Sequence, residues 1–156
     1  MSLKKATTPV IQSRILLVDD NANGLKARKT VLEDLGYGIV TASNGHDALE
    51  RFAPQKFDMV VTDYKMPRMD GLELIANLRK LQPGLPIVLI SGFVDSLGLN
   101  EENTNADAVI QKSANEVSHL SRAVARLLRQ KSSREKPARK PATGTPPPVK
   151  AKRKGV

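Results

Sequence analysis

The chain is expected to fold as an α/β domain, a doubly wound five-stranded parallel sheet with five helices, followed by a basic tail. Three observations carry that expectation. Short runs of apolar and β-branched residues recur along the first 111 positions, as buried parallel strands do. Segments with helix caps or helical apolar spacing fill the intervals between them. Four of the runs end in a carboxylate, a hydroxyl or a lysine, which places polar chemistry along one edge of the sheet, where open α/β sheets bind ligands.

The elements follow in order. Residues 14–18, RILLV, form the first strand, and Asn21 or Asn23 caps a helix reaching Leu35, with Leu25, Val31, Leu32 and Leu35 as its apolar positions. A second strand spans 38–42. Ser43 and Asn44 lead into a helix over 45–53 that Pro54 stops. The third strand, 57–62, ends at Asp63. Beyond it Pro67 bars a regular continuation, and Asp70 with Gly71 turns the chain into a helix over 72–81. Strand four is 87–90, ending in Ser91-Gly92. Gly98 and several Asn residues leave only a short or frayed helix in the next stretch. Strand five, 107–111, leads to Lys112, and the last helix runs from about Ala114 to Arg129 on Val117, Leu120, Val124, Leu127 and Leu128.

If the strands are parallel and adjacent, Asp19, Asp20, Asp63, Ser91 and Lys112 converge. Two unit charges ~4 Å apart repel by roughly 4 kcal/mol at an effective dielectric of ~20, so three carboxylates call for a cation between them. An all-oxygen set with few carboxylates and room for water suits Mg²⁺ better than the larger cage of Ca²⁺, and no Cys or neighbouring His offers the ligands Zn²⁺ prefers.

The segments ILLVDDN, VVTDYKMPRMDGLEL, IVLISGF and VIQKS stand in an order and spacing that strongly resembles the receiver domain of bacterial two-component response regulators. The resemblance covers residues 13–130 and rests most on D-x-x-M-P-x-M-D-G. It implies a flavodoxin-like strand order of 2-1-3-4-5 and Asp63 as phosphoacceptor. It further implies Asp20 as a direct Mg²⁺ ligand, Asp19 as a ligand acting mainly through water, and Lys65 as the donor of a backbone carbonyl. Ser91 and Lys112 would contact the phosphoryl oxygens. The implied partners are a sensor histidine kinase or phosphotransfer protein and an unidentified downstream protein.

Three positions depart from the family pattern. Ser113 follows the lysine where proline is usual, and a cis bond there is costly without proline. Val109 stands where the family often has an aromatic that swings inward on phosphorylation. Lys65 puts a long cation at the mouth of the pocket. A phosphatase of the haloacid dehalogenase type would need a second Asp two residues after the nucleophile, and that position is Lys65. His46 and His119 lie on presumed helix surfaces and receive no ligand or phosphohistidine role.

Composition bounds the rest. The 156 residues carry +9, but residues 131–156 hold nine Lys or Arg against Glu135, leaving 16 basic and 15 acidic residues before them. The expected organisation is a flexible lead-in at 1–12, a receiver domain at 13–130 and a disordered Pro/Lys-rich tail at 131–156. There is no cysteine, no apolar run long enough to span a membrane and no signal-type segment, so a cytoplasmic location is expected. The functional expectation is a stand-alone receiver that signals through phosphorylation-dependent protein interaction and is not an enzyme toward external substrates. The rival is a nucleic-acid-associated protein working through its basic tail, with the receiver regulatory or degenerate.

Overall fold

The computed structural model describes residues 12–135. Five strands, β1 (Arg14–Val18), β2 (Gly38–Ala42), β3 (Met59–Asp63), β4 (Ile87–Ser91) and β5 (Ala108–Gln111), form one parallel sheet in the order β2-β1-β3-β4-β5. The helices are α1 (Ala22–Asp34), α2 (Gly45–Phe52), α3 (Gly71–Leu81), α4 (Val94–Leu97), α5 (Glu101–Thr104) and α6 (Glu116–Glu135). This is the flavodoxin-like arrangement that the resemblance implies.

Alternation along the strands builds two cores. Leu16, Val60, Ile87 and Leu89 face α2 and α3, where they meet Phe52, Leu74, Ile75 and Leu78. Ile15, Leu17, Val61, Val88, Ile90 and Ile110 face the other way, onto Leu32 of α1 and Leu120, Val124 and Leu127 of α6. Every residue of β3 and β4 is buried. Each fully buried aliphatic side chain contributes roughly 1.5–3 kcal/mol, so the two central strands are the best anchored and their ends the most rigid part of the sheet edge.

Local chemistry sets the helix starts. Asn21 Oδ1 accepts from the Gly24 amide at 2.9 Å, and Asn44 Oδ1 from that of Asp47 at 2.7 Å. Asp70 and Glu73 form a reciprocal capping box, with bonds of 2.9 and 3.0 Å. His46 and His119 are exposed, as expected.

Several expected boundaries shift. The weak fourth helix resolves into two single turns, α4 and α5, the second capped by Asn100 and Asn103. Leu35 and Val117, read as inward-facing, are 54% and 39% exposed. The last helix starts later than expected, because residues 113–115 form a turn closed by the Glu116 amide on the Ser113 carbonyl. It also runs past Gln130 to Glu135, so the first five residues assigned to a disordered tail are helical. Lys131 lies 3.5 Å from Asp58 Oδ1 at the start of β3, which ties the extra turn to the domain. The rest of the tail and residues 1–11 of the lead-in lie outside the described residues.

The loop after β3 depends on Gly71. Its amide donates to the Tyr64 carbonyl at 2.7 Å, and a Cβ there would lie 2.4 Å from the Asp63 carbonyl oxygen and 3.0 Å from Tyr64 Cα. Both obstacles are backbone, so neither can swing aside. Gly71→Ala is therefore expected to destabilise the domain by about 1–3 kcal/mol, read as a lower urea midpoint with an unchanged slope.

Candidate functional site

The carboxyl ends of β1, β3, β4 and β5 meet at one edge. Asp19, buried at the end of β1, accepts the Asn21 amide on Oδ1 at 2.9 Å and a guanidinium nitrogen of Arg28 on Oδ2. Asp20 is exposed beside it, and Asp63, the last residue of β3, is 3% exposed. Each of the three carboxylates offers one oxygen within 4.8 Å of the others. From the end of β5, Lys112 Nζ reaches Asp63 Oδ1 at 2.7 Å. The ion pair is close, although its angles fall short of a well-formed hydrogen bond to the buried Oδ1. The Lys112 amide donates to the Ser91 carbonyl at 2.9 Å, and the buried Ser91 Oγ accepts from the Phe93 amide at 2.8 Å. The structure thus brings Asp19, Asp20, Asp63, Ser91 and Lys112 to one place.

The Lys65 side chain lies along an aromatic neighbour. Its ammonium lies 5.2 Å from the Phe93 ring centroid, and among the described residues it makes no ion pair with the three aspartates. Phe93 packs edge-on against Tyr64 at 6.3 Å, so the long cation is drawn along an aromatic wall rather than into the acidic pocket. The role that the resemblance implies for Lys65 belongs to its backbone carbonyl, which this side-chain placement leaves open. Val109 is half-buried and packs on the core facing α2 and α3. Ser113 Oγ accepts the Asn115 amide at 3.2 Å, and no cis peptide occurs among the described residues.

Sequence reasoning missed Arg28 and Glu116. Arg28 is 6% exposed, and its Nε meets Glu116 Oε2 at 2.5 Å while its other arm holds Asp19. The three carboxylates therefore have two protein cations beside them, Arg28 and Lys112, which meet part of the demand for positive charge. What remains is one net negative charge within the pocket, with Glu116 adding another behind it. The signal was legible: Arg28 stands three residues after Leu25 and four before Leu32, on the inward stripe of α1.

Three hard oxygen donors with a buried oxygen short of hydrogen bonds form a set that fits a small divalent cation such as Mg²⁺. Burial pushes the Asp63 carboxyl above the ordinary carboxylate range. Lys112 opposes this, the nearby Asp19 charge adds to it, and Arg28 opposes it again. A carboxyl whose pKa is raised by folding contributes stability below its ordinary range and loses it as pH rises through the raised value. In cation-free buffer the contribution of Asp63 to stability is therefore expected to fall from about pH 4 upward. Asp63→Asn should flatten that loss and melt higher than the parent near neutral pH, as thermal unfolding across pH will show.

A family model, the response regulator receiver domain, matches residues 15–125. The chain is 38% identical over 79 residues to the transcriptional regulatory protein GlrR of Escherichia coli (strain K12), covering 51% of this chain and 18% of that protein. It therefore spans less than a fifth of that relative's length. It is 36% identical over 90 residues to the response regulator receiver protein CpdR of Brucella abortus (strain 2308), covering 58% of this chain and 74% of CpdR. Among solved structures, the response regulator TrrA of Thermotoga maritima in complex with Mg²⁺ and BeF superposes with a TM-score of 0.68 at 34% identity, over 74% of this chain and 99% of that one. A CheY-like receiver domain protein from Methanospirillum hungatei gives 0.69 at 30% identity, over 79% and 99%. With the parallel sheet in this order, the acidic edge and a family model covering most of its length, the chain belongs to the receiver domain family of two-component response regulators.

Proposed function

We propose that the chain accepts a phosphoryl group on Asp63 from a histidine kinase or phosphotransfer protein and signals by changing its protein contacts. The observation that carries this reading is the Asp63 carboxylate at a rigid strand end, with Asp19 and Asp20 beside it and the Lys112 ammonium 2.7 Å away. Mg²⁺, held by Asp19, Asp20, Asp63 and the Lys65 carbonyl, would supply charge neutralisation for the phosphoryl oxygens. A carboxylate oxygen of Asp63 attacks the phosphorus of a phosphohistidine. The new P–O bond forms as the P–N bond breaks, and the imidazole leaves. Lys112 then turns from Asp63 toward the phosphoryl oxygens, and the Ser91 hydroxyl donates to one of them. Positioning and charge carry the step, and the chain turns over no external substrate.

Incubation with acetyl phosphate and Mg²⁺ should raise the intact mass by one phosphoryl group. Asp63→Asn and omission of Mg²⁺ should each abolish the gain. Equal labelling of the Asn variant would overturn the assignment.

A second reading rests on the outer face of α6. Arg122, Arg126, Arg129 and Arg134 are exposed there, make no ion pair among the described residues, and lead into the most basic part of the sequence. Residues 131–156 contain no aromatic to stack on bases, so this reading is of non-specific contact with nucleic-acid phosphates. Truncation at Gln130 would cut α6, so charge variants are the better probe. Duplex DNA binding by the full chain should weaken steeply with salt, by ~0.9 in log–log slope per phosphate contacted. Arg126→Gln, Arg129→Gln and Arg134→Gln together should lower both affinity and slope. Unchanged binding by the triple variant, or strong preference between unrelated duplexes, would sink this reading.

A further inference from the structure

Arg28 is the one buried Lys or Arg side chain among the described residues. Its place on the core-facing stripe of α1 would ordinarily go to an aliphatic residue. A buried ion pair is a weak device for stability alone, since desolvation consumes much of its Coulombic gain. Burial works against the guanidinium charge here, yet Glu116 and Asp19 more than offset it and hold its pKa above the ordinary value. The local sequence makes room for the pair. A Cβ on Gly24 would lie 3.0 Å from Asp19 Oδ2 and 3.4 Å from Arg28 Nη1.

What the arrangement does follows from its two ends. One arm of the guanidinium takes Asp19, a member of the acidic pocket whose other oxygen is already held by the Asn21 amide. The opposite side takes Glu116, the first residue of α6, at 2.5 Å. A cation at the three aspartates and the Arg28 guanidinium both draw on the charge of Asp19, and they repel one another. Glu116 counts in the opposite direction, because it draws guanidinium charge away from the pocket.

We propose that Arg28 is a positioning residue that sets the affinity of the acidic pocket for a divalent cation and passes the pocket's charge state through Glu116 to the first turn of α6. The proposal rests on the reading of the three aspartates as a Mg²⁺ site. By linkage, occupancy of the pocket weakens the Asp19–Arg28 contact and strengthens Arg28–Glu116. The signal so carried runs between α1 and α6, on the face of the sheet opposite the core on which Val109 packs.

The test is stepwise addition of MgCl₂ to the full chain, followed by amide NMR shifts at Asp63, Tyr64 and Glu116. Arg28→Met keeps the apolar stem of the side chain and removes its charge. It is expected to tighten Mg²⁺ binding about ten-fold and to abolish the Glu116 response to Mg²⁺. Glu116→Gln is expected to weaken binding several-fold. Opposite signs from the two ends of one ion-pair chain are the signature, since a purely structural brace would weaken binding in both variants. A folded Arg28→Met variant that binds Mg²⁺ no more tightly than the parent overturns the proposal. Should Arg28→Met fail to fold, Arg28→Gln, which keeps a polar side chain facing Asp19 and Glu116 but removes the charge, decides in its place: tighter binding than the parent supports the proposal, and unchanged or weaker binding overturns it. Absence of any Mg²⁺ response at Asp63 in the parent and all variants would instead overturn the metal-site reading, and the proposal with it.

Discussion

Like charges gathered at one edge of a low-dielectric sheet must be balanced, and that requirement shapes the rest of the molecule. Parallel strands send all their carboxyl ends to the same side, so Asp19, Asp20 and Asp63 come together as a consequence of topology. The protein answers with Lys112 at the end of β5 and Arg28 from within α1. The answer is deliberately incomplete. Full neutralisation would leave no attraction for a cation, whereas no neutralisation would strain the junction of β1 and β3 on which the domain is built.

The scaffold around this balance is stiff where the chemistry needs it. Asp63 ends a strand buried along its whole length, and the chain beyond it doubles back so tightly that Gly71 touches Asp63's own backbone. Asp19 has each carboxylate oxygen occupied by a neighbour. Lys112 is different. Its side chain is 39% exposed and is long and unbranched, so its ammonium has room to swing from Asp63 to an arriving group. The pocket therefore pairs two fixed carboxylates with a movable ammonium, the division of labour that phosphoryl transfer by positioning requires.

The strands were legible because burial on both faces writes continuous apolar runs, and the site was legible because each run stops at a polar residue on the same edge. Arg28 escaped because a helical Arg is read by default as solvated, and its partners lie 9 and 88 residues away in sequence. Reading α1 by its leucines credited Leu35, which faces solvent, where the actual stripe is Leu25, Arg28 and Leu32. The end of α6 escaped for a related reason. A shift to basic composition looks like a domain boundary, yet Lys131 finds Asp58 and the helix continues. The stretch after β4 was too poor in apolar periodicity to show that it holds two separate turns. For Arg28 the spacing marked the place, but its partners, like that of Lys131, are distant in sequence and no local pattern names them.

The length of α6 sets the two ends of the chain's chemistry apart. The helix begins at Glu116, next to the acidic pocket, and passes Lys131 beside Asp58, at the amino edge of the sheet. Twenty helical residues rise by roughly 30 Å. Physiological salt screens exposed charges over ~8 Å, so this span amounts to more than three screening lengths. The last turns of α6 thus stand where the pocket's field has decayed to almost nothing. The exposed Arg129 and Arg134 near its far end thus neither repel a cation approaching the aspartates nor weaken the charge that draws it, and the two ends of one helix can carry opposite charge without either disturbing the other.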